Sequence, residues 1–336
     1  MAVVGGVLID RRELLVRGAA ALAVAARPGV VGALASSSGR RALVTADAEA
    51  HVVVVALGRR SRVERRVRTL EDPRSIERSP GGTAAIVGHA GEGAISLLAV
   101  DGTSGGVRVR RVLRGFGQPR YTAFARGGRV AYVSDSGTGE VAVVDVRAGR
   151  VVRRVGVGDA ARHLGLSPDG RRLWVALGSS AATLAVVDLR DPWRPHRIGT
   201  VRPPFLAHDV AFSPSGRRVW ITAGRERRIA IFSAFTSTRL RTLPAGDAPQ
   251  HITFGPARAY VASGDDGRLA VHALADGRTL RRTRLPIGSY NIQRTGPAVI
   301  TPSLGTGALT LLDAHGRTLA SIPVAAHAHD ACVIGL

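Results

Sequence analysis

Hydrophobic and polar residues alternate in short runs along most of the chain, and tight turns separate one run from the next. Two clear copies of this pattern are residues 162–176, RHLGLSPDGRRLWVA, and residues 208–221, HDVAFSPSGRRVWI. The middle of each copy is a Ser-Pro-x-Gly turn, in which Pro presets φ at the second position and Gly relieves strain at the end. The alternating apolar residues on both sides of the turn predict two antiparallel strands.

Each turn unit is followed by a third apolar run, which predicts a third strand. These runs are residues 141–144, 184–187, 229–232, 269–272 and 309–312. A polar turn then leads into a fourth strand and a link that contains glycine, as in residues 155–159, VGVGD. We therefore expect four strands in every repeat.

The turn position occupied by Ser167 recurs along the chain, and its recurrence sets the number of repeats. The equivalent positions, 39 to 46 residues apart, are Ser36, Ser79, Ala125, Ser167, Ser213, Gly255, Arg294 and Ile334. Four strands at this period are typical of a β-propeller blade, and no segment between the repeats has a helical period. The pattern predicts an all-β, seven-bladed β-propeller over residues 36–336, with four antiparallel strands per blade.

The two ends of the repeat region predict how the ring closes. Residues 329–334 match only the first strand of a repeat, whereas residues 36–41 begin at the first turn and have no first strand before them. We expect the C-terminal strand to join the N-terminal blade, because this pairing removes two sheet edges. The alternative is that residues 30–35 supply the missing strand. The repetition of His208-Asp209 as His329-Asp330 favours closure by the C terminus.

Residues 1–35 have a different pattern, which predicts an export signal of the twin-arginine type. Arg11-Arg12 precede a mild apolar stretch at residues 18–26. This stretch is too short and too weakly apolar to span a membrane. We expect an exported, extracytoplasmic protein, either secreted or held in the cell envelope.

Two small-x-small sites allow cleavage of this signal, after Ala25 or after Ala35. Cleavage after Ala35 would release residues 36–336, which agrees with the expected closure of the ring. Arg27-Pro28 interrupts the apolar stretch and departs from the usual pattern of such signals. The alternative is a structured or frayed N-terminal extension.

The strong positive charge changes this picture little. The formal net charge is +22, and all 47 basic residues are arginines, since the sequence contains no lysine. With only one asparagine, this composition indicates the codon bias of a GC-rich genome. The arginines are scattered, and the interleaved aromatic residues that stack on bases are absent. We expect a generally basic surface without a specific nucleic-acid site; adhesion to anionic polymers is a weaker alternative.

The single cysteine, Cys332, excludes an internal disulfide, so stability must come from burial. Its neighbours are apolar, and we expect a buried, unreactive thiol. No segment after residue 35 has the length and hydrophobicity of a membrane span. We expect a monomer.

The unit VAVVDVRAGRVVRRVGVGDAARHLGLSPDGRRLWVAL at residues 141–177 resembles the YVTN-type, YncE-like β-propeller repeat. The resemblance covers residues 36–336 and is strongest over residues 119–288. It is weakest in the seventh repeat, where Arg294-Thr295-Gly296-Pro297 replaces Ser-Pro-x-Gly. Lactonase-type propellers are a neighbouring resemblance. The resemblance implies the fold; it implies little about function, because family members are mostly exported or surface proteins and many have no defined activity.

Polar residues open the first strand of each predicted blade, where the link from the preceding blade enters. In a propeller these strands line the central channel, so seven polar pairs are expected around one mouth. The pairs are Arg74-Ser75, Arg120-Tyr121, Arg162-His163, His208-Asp209, Gln250-His251, Ser289-Tyr290 and His329-Asp330. This ring is the predicted ligand-binding site. The alternative is that these side chains only hydrogen-bond the water at the mouth.

The two sides of the predicted ring differ in chemistry. Arg74, Arg120 and Arg162 come from adjacent blades and suit a carboxylate or phosphate ligand. The other side offers imidazoles and carboxylates, which suit a divalent metal, and the candidate ligands are His208, His251 and His329. The separation of the blades across a channel argues against a shared metal, so no cofactor is expected.

We therefore expect an exported binding protein that uses the channel mouth and the loops around it to bind a small anionic ligand or a protein partner. The alternative is a lactonase-type hydrolase in which a metal at the mouth activates water. The sequence lacks a P-loop and a dinucleotide fingerprint, and no catalytic residue is assigned. The remaining His89, His196 and His315 are expected in loops.

Overall fold

A computed structural model describes residues 2–4, 7–9, 39–58, 60–101, 104–178 and 182–335. Two short strands near the N terminus, β1 (Ala2–Val4) and β2 (Val7–Ile9), pair with each other. The predicted twin arginines and both predicted cleavage sites lie outside the described residues. From β3 onward the strands form seven antiparallel sheets of four, which confirms the predicted seven-bladed propeller.

The first three blades are built as follows. Blade 1 consists of β30 (Ala328–Ile334), β3 (Arg41–Ala46), β4 (His51–Ala56) and β5 (Arg62–Arg68). Blade 2 consists of β6 (Pro73–Arg78), β7 (Ala84–His89), β8 (Ala94–Val100) and β9 (Val107–Arg114). Blade 3 consists of β10 (Pro119–Phe124), β11 (Val130–Asp135), β12 (Glu140–Asp145) and β13 (Arg150–Gly156).

The remaining four blades are continuous in sequence. Blade 4 consists of β14 (Leu164–Leu166), β15 (Arg172–Ala176), β16 (Leu184–Asp188) and β17 (His196–Val201). Blade 5 consists of β18 (Val210–Phe212), β19 (Arg218–Thr222), β20 (Arg228–Ser233) and β21 (Arg239–Pro244). Blade 6 consists of β22 (Ile252–Phe254), β23 (Arg258–Ser263), β24 (Arg268–Ala273) and β25 (Thr279–Arg284). Blade 7 consists of β26 (Gln293–Thr295), β27 (Ala298–Pro302), β28 (Ala308–Leu312) and β29 (Thr318–Pro323).

The Ser-Pro-x-Gly turn joins the first two strands of blades 4 and 5 through the same hydrogen bonds. Ser167 Oγ accepts a bond from the backbone N–H of Arg172 at 2.9 Å, and Ser213 Oγ accepts the equivalent bond at 3.2 Å. Gly170, at the end of the first of these turns, has φ of +74°. A Cβ atom disfavours this conformation, which explains why glycine occupies the position.

The C-terminal strand closes the ring. β30 pairs antiparallel with β3, and Arg41 lies opposite Ile334 in the register. Because β3 pairs with β30 on one side and β4 on the other, the alternative closure by residues 30–35 is wrong. The first strands of successive blades contact one another all the way round, so they line the central channel. Cys332 is buried in β30, as predicted.

Large aromatic residues in the second strands fill the space between successive blades. Trp174 packs edge-on against Phe212 of the next blade, with ring centroids 6.0 Å apart, and Trp220 packs against Phe254 in the same way at 5.9 Å. Both tryptophans are fully buried. Their burial links blades 4, 5 and 6 through aromatic contacts at both interfaces.

The arginines concentrate on the outer edge of the ring. The fourth strands β5, β9, β13 and β25 carry several arginines each and are largely exposed. A charged outer strand prevents edge-to-edge pairing with another molecule, which gives this charge a structural role. A 3₁₀ turn lies at Gly224–Glu226. Among the described residues, no helix is long and apolar enough to cross a membrane.

Candidate functional site at the channel mouth

Hydroxyl groups at the ends of the second strands fix the backbone of the channel mouth. Thr222 Oγ1 accepts a hydrogen bond from the N–H of Asp209 at 3.0 Å and donates to the carbonyl of Gln250 at 2.6 Å. Ser134 accepts from the N–H of Tyr121 at 3.1 Å and donates to the carbonyl of Arg162. Each hydroxyl therefore ties its own first strand to that of the next blade.

The sequence analysis missed these hydroxyl residues. Thr222 and Ser134 are fully buried at the end of otherwise apolar strands. A hydroxyl residue at that position in alternate repeats was the available signal, since a buried hydroxyl requires a partner. Their hydrogen bonds fix the backbone positions of the mouth residues, and these positions influence which of the side chains meet.

Four side chains from blades 3 to 6 meet at the mouth and form what we call the histidine–tyrosine cluster: Tyr121, His163, His208 and His251. The Tyr121 hydroxyl lies 3.1 Å from His251 Nε2, and this same nitrogen lies 3.3 Å from His163 Nε2. The His163 ring packs against Tyr121 at 4.2 Å and against His208 at 4.9 Å between centroids. The contact between blades 3 and 6 shows that side chains reach across the channel.

Three members of the cluster, Tyr121, His163 and His208, are held in uncharged forms. Burial lowers the pKa of His163 and His208 well below the usual range, and the neighbouring imidazoles and the Arg162 guanidinium lower it further. Burial also raises the pKa of the Tyr121 hydroxyl. At neutral pH, His163 and His208 are therefore neutral imidazoles, and Tyr121 is a neutral phenol.

The aspartates at the mouth are engaged in backbone hydrogen bonds. Asp209 accepts from the N–H of Val210 at 2.7 Å and from the N–H of Ile252 in the next blade at 3.1 Å. Its Oδ2 also lies 3.5 Å from His251 Nδ1. Asp330 accepts equivalent bonds from β30 itself at 2.8 Å and from β6 at 3.0 Å. Both aspartates therefore join neighbouring blades.

Burial raises the pKa of the Asp330 carboxyl to about 7, against the lowering effect of its two backbone hydrogen bonds. The negative charges of Glu77 and Asp209 also act in the raising direction. Asp330 therefore loses its proton near neutral pH.

The three predicted arginines lie near one another but differ in their partners. Arg74 lies 3.3 Å from Asp47 and 3.5 Å from Asp72. Arg120 bonds only uncharged groups, at 2.9 and 2.8 Å, and burial followed by the charges of Arg162 and Arg74 lowers its pKa. Arg162 Nε is buried without a hydrogen-bond partner.

Gln250 and Tyr290 form a separate group, in which both side chains hydrogen-bond Asp265. Gln250 donates to Asp265 Oδ2 at 3.0 Å and accepts from the N–H of Gly264 at 2.6 Å. The Tyr290 hydroxyl donates to the other oxygen of Asp265 at 2.9 Å. Both side chains are positioned by the turn of blade 6, outside the histidine–tyrosine cluster.

The structure assembles a different histidine set from the predicted one. One ligand atom from each of His163, His208 and His251 lies within 4.8 Å of the others. His329 instead lies 3.4 Å from Asp47 through its Nδ1. The argument that the blades are too far apart for a shared metal was wrong, because the side chains meet in the middle of the channel.

Two further histidines lie in strands, contrary to the loop prediction. His89 is fully buried at the end of β7, where Nδ1 donates to the carbonyl of Glu71 and Nε2 accepts from Ser96, both at 2.9 Å. His196 opens the exposed strand β17. His315 lies in a turn, as predicted.

No family model and no curated protein sequence matches this chain. Solved structures do match it. A functionally unknown protein from Desulfotomaculum acetoxidans has a TM-score of 0.76 at 10% identity, covering 88% of this chain and 98% of its own. A "putative 6-phosphogluconolactonase" from Bacteroides uniformis has a TM-score of 0.74 at 16% identity, covering 88% and 100%.

The periplasmic gluconolactonase of Pseudomonas aeruginosa has a TM-score of 0.72 at 19% identity, covering 88% of this chain and 99% of its own. These proteins share the fold of this chain. At such low identity the likeness is one of architecture, and the function must be argued from the site.

Proposed function

We propose that this protein binds a small anionic ligand, a carboxylate or a phosphate, at the channel mouth. The observation that carries the proposal is the excess of positive charge on one wall of the mouth. Within the described part of the chain, no carboxylate lies within 4.0 Å of a guanidinium nitrogen of Arg120 or Arg162, whereas Arg74 has two such partners. Arg162 also keeps a buried nitrogen without an acceptor.

A bound anion would balance the charge of these arginines and also supply an acceptor for the buried Arg162 nitrogen. Guanidinium groups that lack a counter-charge repel one another, and a buried N–H without an acceptor costs free energy. A carboxylate or phosphate between Arg120 and Arg162 would supply both the charge and the acceptors, with the forked geometry that guanidinium groups favour. The adjacent histidine–tyrosine cluster would bind the rest of the ligand through ring contacts and hydrogen bonds.

The test is thermal unfolding in phosphate or citrate, compared with chloride at the same ionic strength. We expect phosphate or citrate to raise the unfolding temperature by a few degrees, because binding to the folded state alone stabilises it. Arg162→Gln should lose this rise. Arg150→Gln, which removes an exposed arginine of β13, should keep it. A rise that is equal in both variants would show general screening of the basic surface and would refute the proposal.

The second candidate function is hydrolysis of a lactone at the same mouth. Its support is the set of uncharged imidazoles at the mouth, together with the names of two of the similar structures, a periplasmic gluconolactonase and a "putative 6-phosphogluconolactonase". Release of acid from glucono-δ-lactone, measured at constant pH, should then exceed the spontaneous rate and fall in His208→Gln. A rate equal to that of buffer would remove this candidate and leave the binding proposal intact.

We further propose that the protein is an exported, monomeric member of the YncE-like group. The support is the twin-arginine pattern at Arg11-Arg12 and the YVTN-like repeat unit at residues 141–177. N-terminal sequencing of protein from the producing cells should begin after Ala25 or Ala35. A cytoplasmic chain that begins at Met1 would contradict export, and a dimer by light scattering would contradict the monomer.

A further inference from the structure

The three histidines of the histidine–tyrosine cluster lie at separations that fit a metal ion. Zinc binds imidazole nitrogen at about 2.0–2.1 Å, so two ligands of a tetrahedral site lie roughly 3.4 Å apart. His163 Nε2 and His251 Nε2 are 3.3 Å apart. The ligand atoms of all three histidines lie within 4.8 Å of one another, so a small side-chain rotation would bring His208 to the same distance.

The surroundings of His251 fix which nitrogen faces the other histidines. Asp209 Oδ2 lies 3.5 Å from Nδ1, on the side of the ring away from the cluster. A carboxylate behind a ligating imidazole orients the ring and increases its basicity, and this arrangement recurs in metal sites. Asp209 is itself fixed by two backbone N–H groups, so it holds the ring without moving.

The three histidines leave the fourth position of a tetrahedral site, and the Tyr121 hydroxyl lies there, 3.1 Å from His251 Nε2. A metal ion would take the lone pair of Nε2 and release this hydroxyl. Three protein nitrogens and one open position are typical of a site that accepts water or an anionic ligand. Arg162, adjacent in sequence to His163, lies on the same side of the mouth.

We propose that His163, His208 and His251 bind a divalent transition-metal ion, with zinc as the expected occupant. Imidazole ligands without thiolate suit zinc, copper and nickel, and exclude calcium and magnesium, which require oxygen ligands. This site does not depend on the proposed anion binding, since its ligands are the histidines and not the arginines. Metal binding is therefore measured without phosphate or citrate, and either proposal fails separately.

The experiment is equilibrium dialysis of chelator-treated protein against Zn²⁺, with Co²⁺ as a spectroscopic substitute. We expect one ion per chain and a visible Co²⁺ spectrum of the intensity typical of four-coordinate nitrogen sites. His208→Gln and His163→Gln should each weaken Zn²⁺ binding at least tenfold. His196→Gln, which removes the exposed imidazole of β17, should bind as the natural protein does.

His208→Gln is the more informative of the two variants, because the His208 side chain is half-buried and makes no hydrogen bond to another described residue. It should therefore fold normally, which circular dichroism and urea unfolding check. Zinc binding that is unchanged in folded His208→Gln, or that is lost equally in His196→Gln, would overturn the proposal. The absence of stoichiometric zinc in the natural protein would overturn it as well.

Discussion

The dipeptide His-Asp occurs at the same position in blade 5, as His208-Asp209, and in blade 1, as His329-Asp330. The two aspartates behave alike. Asp209 bonds a backbone N–H of β18 and one of β22, and Asp330 bonds one of β30 and one of β6. The repeat therefore encodes this aspartate as a connection between blades.

The two histidines behave differently. The His208 ring faces His163 and His251, and its imidazole makes no hydrogen bond within the described ranges. His329 pairs with Asp47 at 3.4 Å, on the side of the mouth where Arg74 also bonds that carboxylate. The role of a residue at one position of the repeat therefore depends on the side chains that the neighbouring blades place beside it.

The largest expected effect concerns the aspartates. Asp209→Ala and Asp330→Ala each leave two buried backbone N–H groups without an acceptor, one of them in the next blade. We expect each change to lower the free energy of unfolding by roughly 2–4 kcal/mol, measured by urea denaturation.

Glu92→Ala is the matched control, because Glu92 is an exposed carboxylate whose ion pair within the described ranges is with Arg114, at 3.7 Å. Glu92→Ala should lower the free energy of unfolding by at most about 1 kcal/mol. A large loss in one aspartate variant and none in the other would show that the two blades do not share this connection.

The next effect is the pH dependence that Asp330 gives to stability. Asp330 has a pKa of about 7 when folded and an ordinary value of 3.8 when unfolded. Between these values the folded state binds the extra proton, so its contribution to stability is present at low pH and is lost as pH rises towards 7. The slope is at most about 1.4 kcal/mol per pH unit.

Asp330→Asn removes this slope. Relative to the natural protein, its free energy of unfolding should therefore rise between pH 5 and pH 8, by about 1–3 kcal/mol. Urea denaturation at several pH values measures the difference. A difference that is constant across this range would show that Asp330 does not titrate there.

The smallest expected effect is the change in the free energy of unfolding when either His329 or His208 is replaced. His329→Gln loses a half-buried contact with Asp47, and we expect a cost of about 1 kcal/mol. His208→Gln breaks no hydrogen bond between described residues, so its free energy of unfolding should change by less than about 0.5 kcal/mol. Thermal unfolding of both variants measures this. A larger loss at His208 than at His329 would mean that His208 is chiefly structural.

The blades and their closure could be predicted from local signals. The Ser-Pro-x-Gly turns at Ser167 and Ser213 and the alternating strands recur within one repeat, and each forms through contacts close in sequence. The missing first strand of blade 1 was also visible, because residues 329–334 match it. The repetition of these signals was therefore sufficient to predict the fold.

The membership of the site could be predicted only in part. The register predicts Tyr121, His163, His208 and His251 at the mouth, and the structure brings these side chains together. Tyr121 and His251 touch although they are 130 residues apart in the sequence. Which side chains meet depends on the ring diameter and on the side-chain directions, and a linear pattern contains neither. Thr222 went unnoticed for a related reason, since its role lies in bonds to two different blades.

The most direct test of the difference between the two His-Asp pairs is a crystal structure of zinc-soaked protein, with anomalous maps on both sides of the zinc absorption edge. We expect one strong peak at about 2.0–2.1 Å from a nitrogen of each of His163, His208 and His251. No peak is expected between His329 and Asp47. Zinc at His329 and Asp47, or no zinc at the three histidines, would contradict this assignment.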